Sequence, residues 1–426
     1  MERYLAAADV RASASIASEF GDLQFLEVYA LLTQTRSYPL WDITTGGTIW
    51  GIPLVVGDRI YVGACDHHVY CLSLDGREIW RFQTQGPVNI VTAPAYADGI
   101  VYATSYDHKV YALDAATGQL QWAFATRDKV CAEPLVREGR VYVGSKDGSF
   151  YCLDARTGEL RWKVGTRAPI SSSAAWWEGR VYVGGWDGLL YCFLPDGRLA
   201  WKFPTKDLIA KKIAVGGGVA YAVSRDGSLY AVDALTGQRK WVFRQRDSLP
   251  CSAPVLDKDM VFFAATFQQR LFALRTADGS VAWSFPLTNL EYGQPTCEGE
   301  MVYMTANDGW VYALDRASGK VRWKYAEPLR ADWADGNAIA GGRMYIGSRN
   351  CKLVCLSLQG EKIWEFTTSL SEPSSITFEQ ERISPEGVFT VVQEAAPEQE
   401  RYRVQTLVEG GSDSVYSFKT EYSSKS

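Results

Sequence analysis

Apolar and polar residues alternate with a period of two along most of the chain. In residues 140–164, RVYVGSKDGSFYCLDARTGELRWKV, the alternation runs through VYVG, FYCLD and LRWKV. A period of two is typical of β-strands, whereas a helix shows a period near 3.6. Each such unit follows a short apolar stretch such as AEPLVREG. The pattern therefore predicts units of four strands joined by three tight turns.

Two recurring turn motifs separate the predicted strands. The first is Asp-Gly, at residues 147–148, 187–188, 226–227 and 308–309. Glycine accepts the positive φ of a two-residue hairpin turn and aspartate bonds back to the backbone, so this pair favours a hairpin. The second motif is Asp-x-x-Thr-Gly, at residues 114–118, 154–158 and 233–237. Calcium loops need a denser set of acidic residues, so we interpret both motifs as turns.

The unit recurs eight times, and each copy ends on a tryptophan. These residues are Trp80, Trp122, Trp162, Trp201, Trp241, Trp283, Trp323 and Trp364. Their spacings are 42, 40, 39, 40, 42, 40 and 41 residues. A steady period of this length built from strands indicates a closed array. The sequence predicts an all-β fold, an eight-bladed β-propeller of four-stranded antiparallel blades over residues 41–366.

The eight tryptophans are predicted to be structural residues. Each lies at a fixed offset after the second turn of its unit. A buried indole removes roughly 150–250 Å² of surface from water, which makes it a strong contact between neighbouring blades. We expect all eight to dock onto the next blade.

Segments on both sides of the array depart from the repeat. Residues 1–40 are expected to form an N-terminal cap segment, in which FGDLQFLEVYALLTQ fits a helix or a strand. Residues 41–50, WDITTGGTIW, read as the end of a further unit. We expect them either to add an outer strand to the last blade or to join a ninth partial sheet with the tail. Residues 367–426 are predicted to be a β-rich acidic extension.

Charge and hydropathy exclude several classes of protein. The net charge of −5 gives no electrostatic footprint for nucleic acid. No stretch approaches the roughly 18 apolar residues of a membrane span, so we expect no membrane insertion. Charged residues such as Asp9 and Arg11 interrupt the first residues, which therefore do not form a secretory signal. We expect a cytoplasmic location, or a periplasmic one if the N-terminus is a processed or truncated form.

The cysteines and histidines do not suggest a metal site. Cys71, Cys152 and Cys192 occupy one repeat position that holds alanine in other units, as expected of small buried residues. His67 and His108 occupy the position where other units have glycine, which indicates turn residues at positive φ. We therefore predict free thiols and no bound metal.

Together, the strand and turn motifs resemble a known repeat. VYVGxxDGxxY followed by AxDxxTGxxxW is similar to the repeat of the PQQ-like β-propellers, which include quinoprotein alcohol dehydrogenases and BamB-type outer-membrane assembly lipoproteins. The resemblance covers residues from about 51 to 366. For the enzymes it implies PQQ, an adjacent Cys-Cys pair and a calcium site. The sequence has no Cys-Cys pair, so we expect no cofactor and keep PQQ as the alternative.

Candidate binding residues lie where the repeat is broken. Loops that enter the first strand of each blade meet at the mouth of a propeller's central channel, where ligands commonly bind. Three such loops carry charged or aromatic residues in place of small ones. The candidates are Lys211, Lys212, Glu291, Tyr292, Arg330, Asp332, Trp333 and Asp335. Trp176 and Trp177 either form an aromatic patch or fill space in the fourth blade.

The leading hypothesis is a non-catalytic binding or scaffold protein that presents a propeller face to a protein partner. The first alternative is a sensor that binds a small molecule or a peptide at the channel mouth. The second is a PQQ-dependent oxidoreductase. No nucleophile elbow, P-loop or dinucleotide fingerprint occurs in the sequence, so we expect no enzyme activity.

Overall fold

A computed structural model describes the chain over residues 47–86, 92–244, 252–265, 268–287, 293–306, 309–326, 333–348 and 350–368. Between 333 and 335 it describes the backbone alone. The predicted cap, residues 1–40, lies outside these ranges, as does almost all of the extension, residues 367–426. The boundaries proposed for both segments stay predictions.

The described residues form eight sheets, each with four antiparallel strands in chain order. Blades 1 to 4 contain β1 (Leu54–Val56), β2 (Arg59–Gly63), β3 (His68–Ser73), β4 (Glu78–Gln83), β5 (Ala95–Ala97), β6 (Ile100–Thr104), β7 (Lys109–Asp114), β8 (Leu120–Ala125), β9 (Leu135–Arg137), β10 (Arg140–Gly144), β11 (Ser149–Asp154), β12 (Leu160–Gly165), β13 (Ala175–Trp177), β14 (Arg180–Gly184), β15 (Leu189–Phe193) and β16 (Leu199–Pro204). Blades 5 to 8 contain β17 (Ala214–Gly216), β18 (Val219–Val223), β19 (Ser228–Asp233), β20 (Arg239–Arg244), β21 (Val255–Asp257), β22 (Met260–Ala265), β23 (Arg270–Arg275), β24 (Val281–Pro286), β25 (Thr296–Glu298), β26 (Met301–Thr305), β27 (Trp310–Asp315), β28 (Val321–Ala326), β29 (Trp333–Ala340), β30 (Arg343–Ser348), β31 (Lys352–Ser357) and β32 (Lys362–Thr367). The predicted all-β, eight-bladed propeller is confirmed.

Antiparallel order gives the ring two chemically different ends. The turn between the second and third strands of a blade lies at the same end as the connector to the next blade. We call this the channel-mouth end. The other two turns, including the Asp-x-x-Thr-Gly turn, lie at the opposite end, which we call the second-turn end. None of the described segments forms a helix with the length and apolarity of a membrane span.

The first-turn aspartates are bonded inside their own blades. In blade 3, Asp147 Oδ1 accepts the Ser149 N–H at 2.8 Å and Oδ2 accepts the Tyr151 hydroxyl at 2.5 Å. Burial, followed by the hydrogen bond to Asp147, raises the pKa of Tyr151 to about 12. The same tyrosine–aspartate bond joins Tyr191 to Asp187 in blade 4. This pairing explains the recurring Asp-Gly-x-x-Tyr motif without an ion.

The eight repeat tryptophans all cross to the neighbouring blade. Trp201 Nε1 donates to the carbonyl oxygen of Ala234 at 3.0 Å. The equivalent bonds in the other blades are Trp80–Ala115, Trp122–Ala155, Trp162–Pro195, Trp241–Thr276, Trp283–Arg316, Trp323–Leu358 and Trp364–Leu74. A turn glycine faces each ring: a Cβ added to Gly237 would lie 2.7 Å from Trp201 Cδ2. The missing side chain is therefore the space that the indole fills.

Small residues lie opposite the tryptophans within the same sheet. Cys71, Cys152, Cys192 and Cys355 pair directly with a repeat tryptophan across the third and fourth strands. These four cysteines form no disulfide. Alanine takes the same place in the other blades, as Ala231 does opposite Trp241. The position selects a small side chain, and cysteine and alanine both satisfy it.

We expect these four buried cysteines to resist iodoacetamide at pH 8 in the native protein and to react after unfolding in urea. Burial raises the pKa of Cys71 to about 11 and that of Cys152 to about 12, so little thiolate exists at pH 8. Peptide mass mapping measures the labelling. Cys131, which is half-buried in a connector, is the internal reference. Native labelling of the four at the rate of Cys131 would contradict this packing.

Two histidines adopt the left-handed conformation that glycine takes in other blades. His67 and His108 have φ values of 69° and 70°, and the equivalent Gly148 and Gly188 both have 75°. These values agree with the interpretation of both histidines as turn residues.

We expect His108→Gly to raise the free energy of unfolding by about 0.5–1 kcal/mol. Relief of the left-handed strain exceeds the entropy that glycine adds to the unfolded chain. His68→Gly is the matched control, because His68 begins a strand and its Nδ1 lies 2.7 Å from Asp66 O. It is expected to destabilise by about 0.5–1 kcal/mol. Urea titration distinguishes the two, and a loss of stability in His108→Gly would refute strain at that turn.

The ring closes through a connector rather than through an exchanged strand. In blade 4, the Thr205 hydroxyl donates to the carbonyl oxygen two residues later, that of Asp207, at 2.6 Å. In blade 8, the Thr368 hydroxyl makes the equivalent bond, at 2.9 Å, to Gly47 from the other end of the chain. Ile49 N–H then donates to Ser348 O at 3.2 Å. Residues 47–49 therefore stand where other blades have the connector that follows the fourth strand.

The prediction that residues 41–50 add an outer strand to the last blade is wrong for residues 47–50. The prediction of a ninth partial sheet involves the tail, almost all of which lies outside the described residues, and stays a prediction. Residues 47–50 form no strand, and β32 completes blade 8 from within its own repeat. No ninth sheet occurs among the described residues. The segment resembles a blade end in sequence, but it packs as a connector. Ile49 fills the space beside Gly347 as Ile170 and Ile209 fill the equivalent space in two other blades.

Candidate functional site

One position of the repeat forms a ring around the channel mouth. In each blade, one residue of the first strand pairs with the buried aromatic residue of the second strand, as Leu135 pairs with Tyr142. The ring position lies two residues before that first-strand residue. The eight residues at this position are Ile52, Ala93, Glu133, Ser173, Lys212, Ala253, Gln294 and Gly336. First strands of adjacent blades contact one another from blade 2 to blade 8, and β29 of blade 8 contacts β1 of blade 1. The position therefore surrounds the propeller axis, and its side chains differ from blade to blade.

Neighbours in this ring contact one another directly. The Glu133 N–H donates to Ser173 Oγ at 3.0 Å, and the Ile213 N–H donates to Ser173 O at 3.3 Å. On the other side of the ring, Gln294 and Gly336 form a parallel β-bridge. These contacts link neighbouring blades at this level of the channel.

An ion pair crosses the channel within the ring. Lys212 Nζ lies 2.6 Å from Glu133 Oε2, although the two residues belong to blades 5 and 3. Because Ser173 of blade 4 lies between them, their side chains meet in front of it, in the lumen. The charge of Glu133, opposed in part by burial, raises the pKa of the Lys212 ammonium group. The Lys212 ammonium group is therefore charged at neutral pH, at a point that solvent reaches.

Of the predicted binding residues, Lys211 and Lys212 are fully described, and both lie at the channel mouth. Lys211 is half-buried one residue before the ring position. Trp333 and Asp335 lie in β29, described by backbone alone. Glu291, Tyr292, Arg330 and Asp332 lie outside the described residues. Their assignment as binding residues stays a prediction.

Trp176 and Trp177 lie on opposite faces of β13 rather than side by side. Trp176 packs on Tyr142, with ring centroids 6.0 Å apart, in the core between blades 3 and 4. Trp177 packs in the next core, with Tyr182 and Trp201. Strand alternation separates them, so they fill space on the two sides of the blade and do not form a shared patch.

Sequence reasoning missed Glu133, which is the partner of Lys212. The stretch AEPLV resembles the ordinary lead into a first strand, such as SAPVL. The available signal was a carboxylate at a position where alanine occurs in Ala93 and Ala253. Within the described residues, no group of three or more His, Cys, Asp or Glu side chains is placed to hold a metal ion.

The chain is similar to several known proteins. It is 30% identical over 177 residues to the outer membrane protein assembly factor BamB of Burkholderia pseudomallei, covering 40% of this chain and 45% of that protein. It is 30% identical over 129 residues to the quinohemoprotein alcohol dehydrogenase ADH IIB of Pseudomonas putida, covering 26% and 19%. The crystal structure of BamB from Moraxella catarrhalis superposes with a TM-score of 0.60 at 20% identity, covering 72% of this chain and 94% of that chain. The matched regions span less than half the length of the curated relatives.

These relatives correct the predicted location. Three of the curated relatives are outer membrane protein assembly factors, so the cytoplasmic location expected from the N-terminal sequence is wrong. Free cysteines had agreed with a reducing compartment. In the structure, however, four of them are small residues opposite tryptophan, a packing role that carries no information about the compartment.

A family profile extends the match to most of the propeller. The profile described as outer membrane protein assembly factor BamB matches residues 66–176, 148–257 and 248–388. The three matches overlap and run without a break across well over half of the sequence. The chain therefore belongs to the PQQ-like β-propeller family described as outer membrane protein assembly factor BamB.

Proposed function

We propose that this protein is a non-catalytic scaffold that presents the channel-mouth end of its propeller to a protein partner during outer membrane protein assembly. One observation carries the proposal: the side chains that repeat are bonded inside the ring, whereas the variable ring position around the channel mouth holds a charged pair that solvent reaches. Trp201 and Asp147 exemplify the repeating side chains, and Lys212 and Glu133 form the pair. The BamB relatives supply the process.

The test is crosslinking of the tagged full-length protein in its native host with a lysine-reactive reagent, followed by mass spectrometry of the linked peptides. A scaffold is expected to give links from channel-mouth lysines such as Lys206 and Lys211 to one or a few envelope proteins. Links distributed equally to second-turn lysines such as Lys240 and Lys320 would contradict presentation of the channel-mouth end.

The catalytic alternative is tested on the purified protein with PQQ and calcium. Dye-linked dehydrogenase activity would refute the non-catalytic assignment.

A ligand-binding role at the channel mouth is the second candidate, favoured by the ion pair in the lumen. The carboxylate of Glu133 and the ammonium of Lys212 present an acceptor and donors at the channel mouth. A small zwitterionic molecule could bind both groups by replacing their direct contact. Under this role, an amino acid or dipeptide library should raise the melting temperature of the native protein and not that of Lys212→Met. No shift with any member would dismiss such a ligand.

A further inference from the structure

A second set of variable residues lies at the channel-mouth end, outside the ring position. The residue after the start of each first turn is Tyr106 in blade 2, Lys146 in blade 3, Trp186 in blade 4 and Arg225 in blade 5. In three successive blades its N–H donates to the preceding connector, through Lys146–Lys129 at 2.9 Å, Trp186–Pro169 at 3.0 Å and Arg225–Leu208 at 2.9 Å. Identical backbone bonds place these residues at equivalent points, one blade apart.

Their side chains alternate between aromatic rings and cations. Lys146 Nζ lies 5.3 Å from the centroid of the Trp186 ring, which belongs to the next blade. Lys129 Nζ lies 5.3 Å from the centroid of the Tyr106 ring. We call Tyr106, Lys129, Lys146, Trp186 and Arg225 the cation–aromatic arc. It extends over blades 2 to 5, and all its members are half-buried.

The rings and the two lysines of the arc make contacts within the propeller. Trp186 Nε1 donates to Ser171 Oγ at 2.7 Å, which fixes the plane of the indole. An ammonium group over a ring is worth roughly 0.5–1 kcal/mol at an exposed site, so each lysine is ordered before a partner arrives. A surface that is ordered in advance loses less entropy on binding.

The carboxylates nearest the arc have their oxygens occupied by the turns. Asp147 Oδ2 accepts from the Tyr151 hydroxyl and from the Arg127 N–H, the latter at 3.1 Å. Asp226 Oδ2 accepts from the Tyr230 hydroxyl and from the Lys206 N–H, the latter at 3.2 Å. These bonds direct the turn carboxylates toward their own blades and the connectors. Lys129, Lys146 and Arg225 are thus the charged side chains that stand among the rings of the arc, although the whole chain carries a net charge of −5.

We infer that the arc binds an acidic peptide segment that contains aromatic residues. This inference rests on the proposed scaffold function and gives its partner a chemistry. Carboxylates of the segment would accept hydrogen bonds from Lys129, Lys146 and Arg225, and its aromatic side chains would stack on Tyr106 and Trp186. A single-stranded nucleic acid also combines negative charge with planar rings. The negative charge of the whole chain and the few cations of the arc favour the peptide, whose carboxylates can be spaced apart.

The test measures fluorescence anisotropy of a labelled 12-residue peptide, rich in Asp and Glu with two Phe residues, against the full chain. The arc variant is Lys146→Glu with Arg225→Glu. The control variant is Arg137→Glu with Arg156→Glu, which makes the same charge change at the second-turn end on exposed residues. Two charge reversals on the arc are expected to weaken binding by about tenfold or more, and the control by less than about twofold. Binding should also weaken as salt rises.

Probe peptides and a nucleic acid complete the design. A peptide in which Asn and Gln replace Asp and Glu is expected not to bind. A peptide in which Ser replaces Phe is expected to bind the native protein more weakly than the original peptide does. With the Trp186→Ser variant, the two peptides are expected to bind equally. Equal binding of the neutral peptide, equal loss in the two protein variants, or binding of a dT12 oligonucleotide without the peptide would each overturn the inference. Thermal melting confirms that the variants are folded.

The crosslinking experiment distinguishes this inference from the proposed function. If the arc variant keeps the same crosslinked envelope proteins as the native chain, the arc is not the contact surface, and the scaffold function stands without it. If the peptide binds through the arc but the native chain gives no partner in cells, the scaffold function fails and the arc keeps its peptide specificity.

Discussion

Replacement of Gly237 by alanine is expected to lower the free energy of unfolding by about 2–5 kcal/mol. Two costs add. The residue has a φ of 73°, where an alanine side chain costs about 1–2 kcal/mol. The new Cβ would also lie 2.7 Å from Trp201 Cδ2, so the indole has to move away from the turn. Such overpacking costs roughly 1–3 kcal/mol.

Gly217 is the matched control in the same blade. Its φ is 58°, and a Cβ built there meets nothing within 4 Å. Gly217→Ala should therefore cost the backbone term alone, about 1–2 kcal/mol. Urea denaturation followed by tryptophan fluorescence measures both variants. If the two lose equal stability, the indole does not depend on the missing side chain, and the contact between blades is weaker than its geometry suggests.

Replacement of Arg316 by methionine is the second substitution with a large expected effect. The Arg316 side chain is 8% exposed and joins blade 7 to blade 6, where its Nε lies 2.5 Å from Asp257 Oδ2 and its Nη2 lies 2.8 Å from Asp259 Oδ1. Removing the guanidinium leaves Asp257 half-buried without its cation. We expect a loss of about 2–4 kcal/mol, somewhat below the cost for a fully buried pair because solvent reaches both carboxylates.

Arg322→Met provides the comparison within blade 7. Arg322 pairs with Asp315 at 2.6 Å, but its side chain is 62% exposed, so its loss should cost less than about 1 kcal/mol. The double variant Asp257→Leu with Arg316→Met should recover most of the stability, since it removes the unpaired charge. Failure of the double variant to recover would show that Arg316 acts through packing of its stem rather than through charge.

The fold was predictable because the physical requirements of a blade recur in the sequence. A turn that needs positive φ selects glycine, and a first turn that bonds a tyrosine selects aspartate four residues before it, as Asp147 precedes Tyr151. A period near 40 residues then follows from four short strands. Even exceptions such as His108 occupied the expected turn.

The candidate site was predictable only in part. Lys212 stood out because it breaks the repeat, but Glu133, 79 residues earlier, could be identified as its partner only after the blades were in register. The cation–aromatic arc was missed for a similar reason. Lys146 and Trp186 lie 40 residues apart in two turns that each look ordinary, and their contact exists only because adjacent blades bring equivalent positions together. Repeat patterns reveal the contacts that recur in every blade and conceal the pairs that form between two particular blades.

The contact between blade 8 and residues 47–49 gives the ring a fixed order of assembly during synthesis. The Thr368 hydroxyl and the Gly47 carbonyl that it bonds are separated by 321 residues. At about 5–20 residues per second, a ribosome needs roughly 16–64 s to pass from one to the other. Throughout that interval Gly47 and Ile49 have no blade 8 to join. Closure is therefore the last event in the making of the propeller, and blade 1 keeps one flank uncovered until the final repeat arrives.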